Sequence, residues 1–338
     1  MKVRTLLSEA SVTYRGAVQL GKNVSCDSFD ETRRLRAVTH AHADHMVGLR
    51  ESLRKCQKVL MTAPTKDLID VLKGPLFLMS GFVETLNYGK PISYEEEKIT
   101  MFRADHIMGA AQVLVEGSDG ERVAYTGDFR INATPVLETD VLVMEATYGS
   151  PSCRRSFNDD VRSLLVSLVT EGLNQGTVYV FGYHGKLQEV MEILHKAGLT
   201  VPFIASERVF QVSKVCERHG MRMGRLLHCD GDDARELLKK GSPCVAFYHM
   251  NAGGEVGLGS FRVYASGWEF GSAVSCRAEN EYIVALSDHS DFDGLIEYVQ
   301  RAKPKLVVTD NFRMGHAETL AKEIRKRFGI PAFALPRR

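Results

Sequence analysis

Apolar residues fall in short runs along this chain, and the spacing of the runs predicts strands alternating with helices. Residues 12–30 read as short strands around a Gly21-Lys22-Asn23 turn, with Val24-Ser25-Cys26-Asp27 ending the second. Residues 45–55 suit a helix, 58–62 a strand and 65–72 another helix, a rhythm that argues for layered α/β packing. Residues 74–98 are irregular, broken by Pro75, Gly81, Gly89 and Pro91. Alternation returns at 99–106, and 112–116 with 122–125 predicts a hairpin across Ser118-Asp119-Gly120. Val141-Leu142-Val143-Met144 is a further buried strand.

From Pro151 the rhythm changes. Helices are predicted at 157–173, 186–196, 207–219 and 232–240, with buried strands at 177–181 and 244–248. This predicts a second, parallel α/β lobe inserted into the first. Residues 261–268 are expected to lead back to the first domain. A strand at 282–286, a helix at 291–301, a strand at 305–309 and a closing helix at 316–328 follow. The expected division is one domain over 1–150 and 262–338, with an inserted domain over 151–261. A chain of 338 residues is long enough for two cores.

Composition narrows the function classes. Lys and Arg number 43 against 42 Asp and Glu, a net charge of +1, so no global field draws the chain to nucleic acid. Local basic patches would have to serve instead: Arg33, Arg34 and Arg36, or Arg154 and Arg155. Each of these alone reads more readily as a solvated turn. The cysteines number seven, an odd count without a CxxC pair, which fits free thiols better than disulfides or a thiolate zinc site. No run approaches 18 apolar residues and the first residues lack an apolar leader, so a soluble, cytoplasmic chain without a membrane partner is expected.

Candidate chemistry concentrates in Thr39-His40-Ala41-His42-Ala43-Asp44-His45. His40, His42, Asp44 and His45 offer imidazole nitrogens and a carboxylate, the donor set that zinc or manganese takes. Three later predicted strands end in His106, Asp128 and Glu145, a pattern hard to explain as packing. Gly109-Ala110-Ala111 after His106 would let the backbone pass close to a site. Asp27 is either a hydrogen-bond partner of the ligand loop or a turn residue. The turn Phe181-Gly182-Tyr183-His184-Gly185-Lys186 at a helix start is either a phosphate site or a plain glycine turn. Trp268 and Tyr148 read as core residues before base-stacking ones.

His-x-His-x-Asp-His, the later lone His106 and Gly127-Asp128 after a hairpin resemble the metallo-β-lactamase superfamily. Asp128-Phe129-Arg130, Glu145-Ala146-Thr147-Tyr148-Gly149 and Ser287-Asp288-His289-Ser290 resemble the β-CASP nucleases within it. Ala265-Ser266-Gly267-Trp268 and Asp105-His106-Ile107-Met108-Gly109 look most like the cross-link-repair group and bacterial ligase-associated repair exonucleases. The resemblance spans roughly residues 15–325. It implies an αββα sandwich with an inserted β-CASP lobe, and two divalent ions, zinc first, with manganese or magnesium as alternatives. His40, His42 and His106 would hold one ion, Asp44 and His45 the other, with Asp128 between them. Glu145 would orient His289, the candidate general acid for a leaving alkoxide. Asp310 stands where RNA-processing members carry histidine and DNA-repair members valine, so it is either a second-site ligand or a surface residue, and His316 is a weaker substitute. Lys186, Arg130 and Tyr183 are candidate contacts to nucleic acid. The implied activity is phosphodiester hydrolysis by a hydroxide held between the metals, on DNA, as a repair exonuclease. RNA processing is the alternative, and a small-molecule metallohydrolase a more distant one.

Overall fold

The computed structural model describes residues 10–74, 81–157, 160–257 and 259–337. The chain divides into two units, Met1–Arg154 with His289–Arg338, and Arg155–Asp288.

The first unit holds two sheets. One is six-stranded, in the spatial order Ala10–Val12, Val18–Leu20, Val24–Cys26, Leu35–Ala37, Lys58–Met61 and Val83–Thr85. The other is seven-stranded, in the order Ala332–Leu335, Leu306–Asp310, Val141–Met144, Arg122–Tyr125, Ala111–Glu116, Glu97–Arg103 and Ile92–Tyr94. Side chains alternate across each strand, so every strand offers one set to each face. Val18, Leu20, Val24, Leu35 and Ala37 of the first sheet pack with Ile99, Met101, Val113, Val115, Val143 and Val308 of the second in one buried cluster. Burying each of the larger side chains contributes about 1.5–3 kcal/mol. Outside this pair of sheets, the helix Leu49–Lys55 packs on Lys58–Met61, and Ala317–Phe328 packs on Leu306–Asp310 and Ala332–Leu335. The result is the expected α/β, αββα layering.

Strand direction decides where the loops emerge. Val24–Cys26, Leu35–Ala37 and Lys58–Met61 run parallel. So do Arg122–Tyr125, Val141–Met144 and Leu306–Asp310. Ala111–Glu116 is antiparallel to both Arg122–Tyr125 and Glu97–Arg103, so the last two point the same way. In the first sheet Asp27 and the His40–His45 turn therefore leave one edge together. In the second sheet the loops carrying His106, Asp128, Glu145 and Asp310 do the same.

Several elements differ from expectation. The helix predicted from residue 45 begins at Leu49, after a 3₁₀ turn over Ala43–His45. Gly48 lies between them at φ +66°, a left-handed conformation that separates the two helical pieces. Val83–Thr85 and Ile92–Tyr94 are strands inside the stretch expected to be irregular, of which residues 75–80 lie outside the described residues. The helix expected over 157–173 is Val161–Leu173, and residues 158–159 lie outside the described residues.

The second unit is a single seven-stranded sheet in the order Leu226–His228, Phe203–Ala205, Val245–His249, Val178–Gly182, Phe261–Ala265, Glu281–Val284 and Val274–Ala278. Every pairing is parallel except the last. The expected return to the first domain at residue 262 falls instead at 289. Phe261–Ala265 and Glu281–Val284 pair into this sheet because their apolar residues, Val263, Ile283 and Val284 among them, need burial there. Phe203–Ala205 and Leu226–His228 escaped the pattern, since three residues carry too little periodicity. The cysteines are all free. Among the described residues, no helix is long and apolar enough to cross a membrane.

Candidate metal centre

The strand-end loops of the first unit are laced to one another by backbone bonds. The Ala111 amide donates to the Thr39 carbonyl (2.9 Å), joining the His106 loop to the His40 turn. Arg130 N donates to Asp105 O (2.7 Å), and Ser290 N to Phe129 O (2.7 Å), joining the Asp128 loop to His106 on one side and His289 on the other. Two glycines permit the close passages. A Cβ at Gly109 would stand 2.6 Å from the Thr65 amide, and one at Gly127 would stand 2.8 Å from the Ala111 carbonyl. Both have positive φ, a conformation that costs glycine little.

His40, His42, His106 and Asp128 each aim one donor atom into a common space, all within 4.8 Å of one another. His42 Nδ1 lies 3.1 Å from both His40 Nε2 and His106 Nε2. Asp128 Oδ2 lies 3.5 Å from His40 Nε2, 3.2 Å from His45 Nε2 and 3.7 Å from His106 Nε2. His40, His45, His106 and Asp128 are buried. Burial and its imidazole neighbours hold His40 well below the usual histidine pKa. Burial works against charge on Asp128, but His45, His289 and His40 outweigh it and keep its carboxyl well below the ordinary range.

Behind the ligands lies a ring of supporting bonds. Asp27 Oδ2 pairs with His45 Nδ1 (2.7 Å) and accepts from Thr39 Oγ1 (2.7 Å), while Oδ1 accepts from the Thr39 amide (2.8 Å). This directs His45 Nε2 toward Asp128 and toward Asp44, whose Oδ2 is 3.5 Å away. Burial opposes a charge on His45, but Asp128, Asp27 and Asp44 raise its pKa to about 10. Thr39 Oγ1 is also 3.0 Å from His40 Nδ1, leaving that ring's Nε2 for the centre. Asp27 thus supports the ligand loop, and it does so from a left-handed turn at φ 61°. Arg36 is fully buried rather than part of a surface patch. Its guanidinium donates to the carbonyls of His45 (3.0 Å) and Val47 (3.1 Å) and to Ser52 Oγ (3.1 Å). No sequence signal separated this arginine from its exposed neighbour Arg34.

Glu145 grips two partners. Its Oε2 is 2.9 Å from His289 Nδ1, and Oε1 accepts from the Phe129 amide (2.9 Å). The His289 ring meets His106 edge-on at 4.8 Å and Tyr148 at 5.7 Å. Asp128, Glu145 and His289 form a second grouping of donor atoms that shares Asp128 with the first.

Other expected residues stand elsewhere. The Asp44 side chain is 57% exposed. Asp310 is paired with Arg313, and His316 is an exposed residue at the start of a helix. Arg130 is bound to Asp105 by two hydrogen bonds (2.9 and 3.1 Å). In the second unit, Lys186 Nζ lies 2.9 Å from Asp288 Oδ1 with both side chains buried, so its charge is met within the protein. Tyr183 is exposed, with its ring edge-on to His249. Arg155 is buried and donates to the carbonyls of Gly267 and Glu269, and Arg154 pairs with Asp293. Tyr148 is core, as expected, whereas Trp268 is half-exposed.

The donor set fits a divalent cation. Imidazole nitrogens and a carboxylate converge on one point, and the buried Nε2 of His45 faces Asp128 Oδ2 there at 3.2 Å. Three histidines and an aspartate are zinc-type ligands. Fold and donor set together fit a metal-dependent hydrolase.

No family model matches the chain. Comparison with curated proteins found a relative in Acidianus ambivalens, described as an uncharacterized protein in the lig 3′ region. It is 45% identical over 138 residues, covering 40% of this chain and 99% of that one. A "Probable DNA ligase" of Opitutus terrae is 26% identical over 315 residues, 88% of this chain and 28% of the ligase. An "RNase J-like protein" of Methanocaldococcus jannaschii is 30% identical over 187 residues, 47% of this chain and 42% of that one. This chain therefore spans less than half the length of the latter two. A solved structure from Enterococcus faecalis V583, of a protein of unknown function, has the same fold, with a TM-score of 0.62 and 17% identity over 92% of this chain and 81% of that one. The chain belongs to the β-CASP nuclease family of the metallo-β-lactamase superfamily.

Proposed function

We propose that this chain is a metal-dependent nuclease that hydrolyses phosphodiester bonds of DNA, as an exonuclease in repair. One observation carries the reading: the ligand grouping and the Glu145–His289 pair share Asp128, so a cation site and a proton donor adjoin. His40, His42, His106 and Asp128 would hold one divalent ion, and Asp44 and His45 with Asp128 a second, with zinc the expected metal. Bound there, such ions supply Lewis acidity, which acidifies water and neutralises charge developing on a phosphoryl group.

The chain's own residues do the rest. Asp27 and Thr39 orient the imidazoles of His45 and His40 so that each aims Nε2 inward. Arg36 keeps the Asp44–Val47 turn in register by binding its carbonyls. Glu145 holds His289 by Nδ1 and steadies the imidazolium form, from which the other nitrogen gives its proton to the leaving oxygen. Arg130, Tyr183 and Lys186 remain candidate nucleic-acid contacts. The ion pairs made by Arg130 and Lys186 mean that substrate must compete with Asp105 and Asp288.

The DNA reading is supported by the likeness of 88% of the chain to part of a "Probable DNA ligase". RNA is the second reading, supported by the RNase J-like relative. End-labelled DNA and RNA of one sequence, incubated with zinc, manganese or magnesium, test both. Stepwise release of nucleotides from DNA supports the proposal. Cleavage of RNA alone would replace it with the second reading. Turnover of a lactam or thioester, with neither polymer cut, would reject both.

A further inference from the structure

Asp310, expected to be either a second-site ligand or a surface residue, is buried and stands outside the donor grouping. Its Oδ1 accepts from the amides of Phe312 (2.9 Å) and Arg313 (3.4 Å), and its Oδ2 pairs with the Arg313 guanidinium. Both oxygens are therefore engaged, and the carboxylate is buried. The other end of the same guanidinium donates to the carbonyl of Asp44 (3.2 Å) and to that of Gly16 (3.4 Å). Arg313 thus spans from the end of Leu306–Asp310 to the backbone of the ligand turn. The Phe312 ring occupies the space where a side chain at Gly16 would sit.

An arginine keeps its charge at any physiological pH, and pulling one partner from a buried pair strands the other. The pair is therefore a standing feature of the site, not one that releases Asp310 as conditions change. It also sets a fixed positive charge beside Asp44, on the flank where a second ion would draw its ligands.

We propose that Arg313 is a positioning residue that withholds Asp310 from metal ligation, so that the chain binds one divalent ion tightly, through His40, His42, His106 and Asp128, and a second only weakly. The inference rests on the metal-centre reading above, and it concerns the number of ions rather than the reaction.

The test counts ions on the full chain. Protein stripped with a chelator is titrated with zinc, followed by calorimetry and by elemental analysis after gel filtration. Wild type should retain one ion per chain, with any second binding at least 100-fold more weakly. Asp310→Asn should leave that count at one. Arg313→Met, which keeps the apolar stem and removes the charge, should tighten second-ion binding at least tenfold, and adding Asp310→Asn should reverse the gain. Two ions of similar affinity in wild type, one of them lost in Asp310→Asn, would overturn the proposal. So would a folded Arg313→Met protein with unchanged binding. If Arg313→Met does not fold, Asp310→Asn decides between the two counts. A wild-type chain that binds no zinc overturns both this proposal and the metal-centre reading. Two tight ions on an active nuclease would overturn this proposal alone.

Discussion

Two groups of donor atoms in this chain look alike by distance and differ in everything else. His40, His42, His106 and Asp128 converge within 4.8 Å, and so do His228, Cys229 and Asp230 on the second unit. In the second group the donors already have uses. His228 Nε2 pairs with Glu207 and Nδ1 accepts from the Asp230 amide, while the Asp230 carboxylate meets Arg235. These three are also consecutive residues at a strand end, so their proximity follows from the chain itself. The first group is drawn from three separate loops, is largely buried, and is backed by a further partner, Thr39 Oγ1 at His40 Nδ1. Proximity alone does not make a metal centre. Burial, convergence from separate segments and an outer set of hydrogen bonds mark the better candidate.

The largest test of that contrast is Asp128→Asn. It should lower nucleotide release from a labelled oligonucleotide by about 1,000-fold or more, since the charge shared by the two groupings is lost. The melting temperature should stay close to wild type, and full activity would erase the distinction between the clusters. His289→Gln comes next, with a loss of about 100-fold or more on natural phosphodiesters. A substrate with a p-nitrophenolate leaving group needs no proton donor and should be cut at near wild-type rate. An equal loss on both substrates would assign His289 a structural part.

Asp27→Asn probes the outer shell. Chelator competition should show metal affinity weakened by roughly 10–100-fold with the ligands themselves unchanged. Proton linkage gives a subtler signature. In the metal-free chain His45 is held to about pH 10 against an unfolded value of 6.5. Its contribution to stability is therefore whole below pH 6.5 and lost as pH rises toward 10. Melting temperatures of chelator-treated protein should fall across that window, and zinc binding near neutral pH should release a proton. A flat profile would mean that His45 folds neutral. Smallest of all, His228→Ala should leave zinc content and activity unchanged and alter stability by only about 0.5 kcal/mol. A lost zinc equivalent would show that the second group is a site after all.

Much of the candidate site was legible because several of its donors are local. His40, His42, Asp44 and His45 lie on one turn, and the strand-terminal positions of His106, Asp128 and Glu145 follow from simple alternation. Elements with long apolar patterns were equally readable, such as Lys186–Lys196 and Asp232–Lys240, whose ends fall where periodicity puts them. Phe203–Ala205 and the strand pairing of Phe261–Ala265 were not, because short strands are specified by their neighbours more than by their own residues. The domain boundary moved from 262 to 289 for the same reason.

The order of residues along the chain was enough to determine the kinds of atoms a site could use and the strands that deliver them, since both are short-range properties. Which charges are spent was decided only in three dimensions. Arg36 and Arg34 are two positions apart, yet one is sealed beneath the ligand turn and the other faces water. Asp128 follows one parallel strand and Asp310 ends another, yet one is ringed by imidazoles and the other is bound to Arg313. Electrostatic partnership depends on distances of a few ångströms between segments far apart in sequence, and only the folded packing sets those distances.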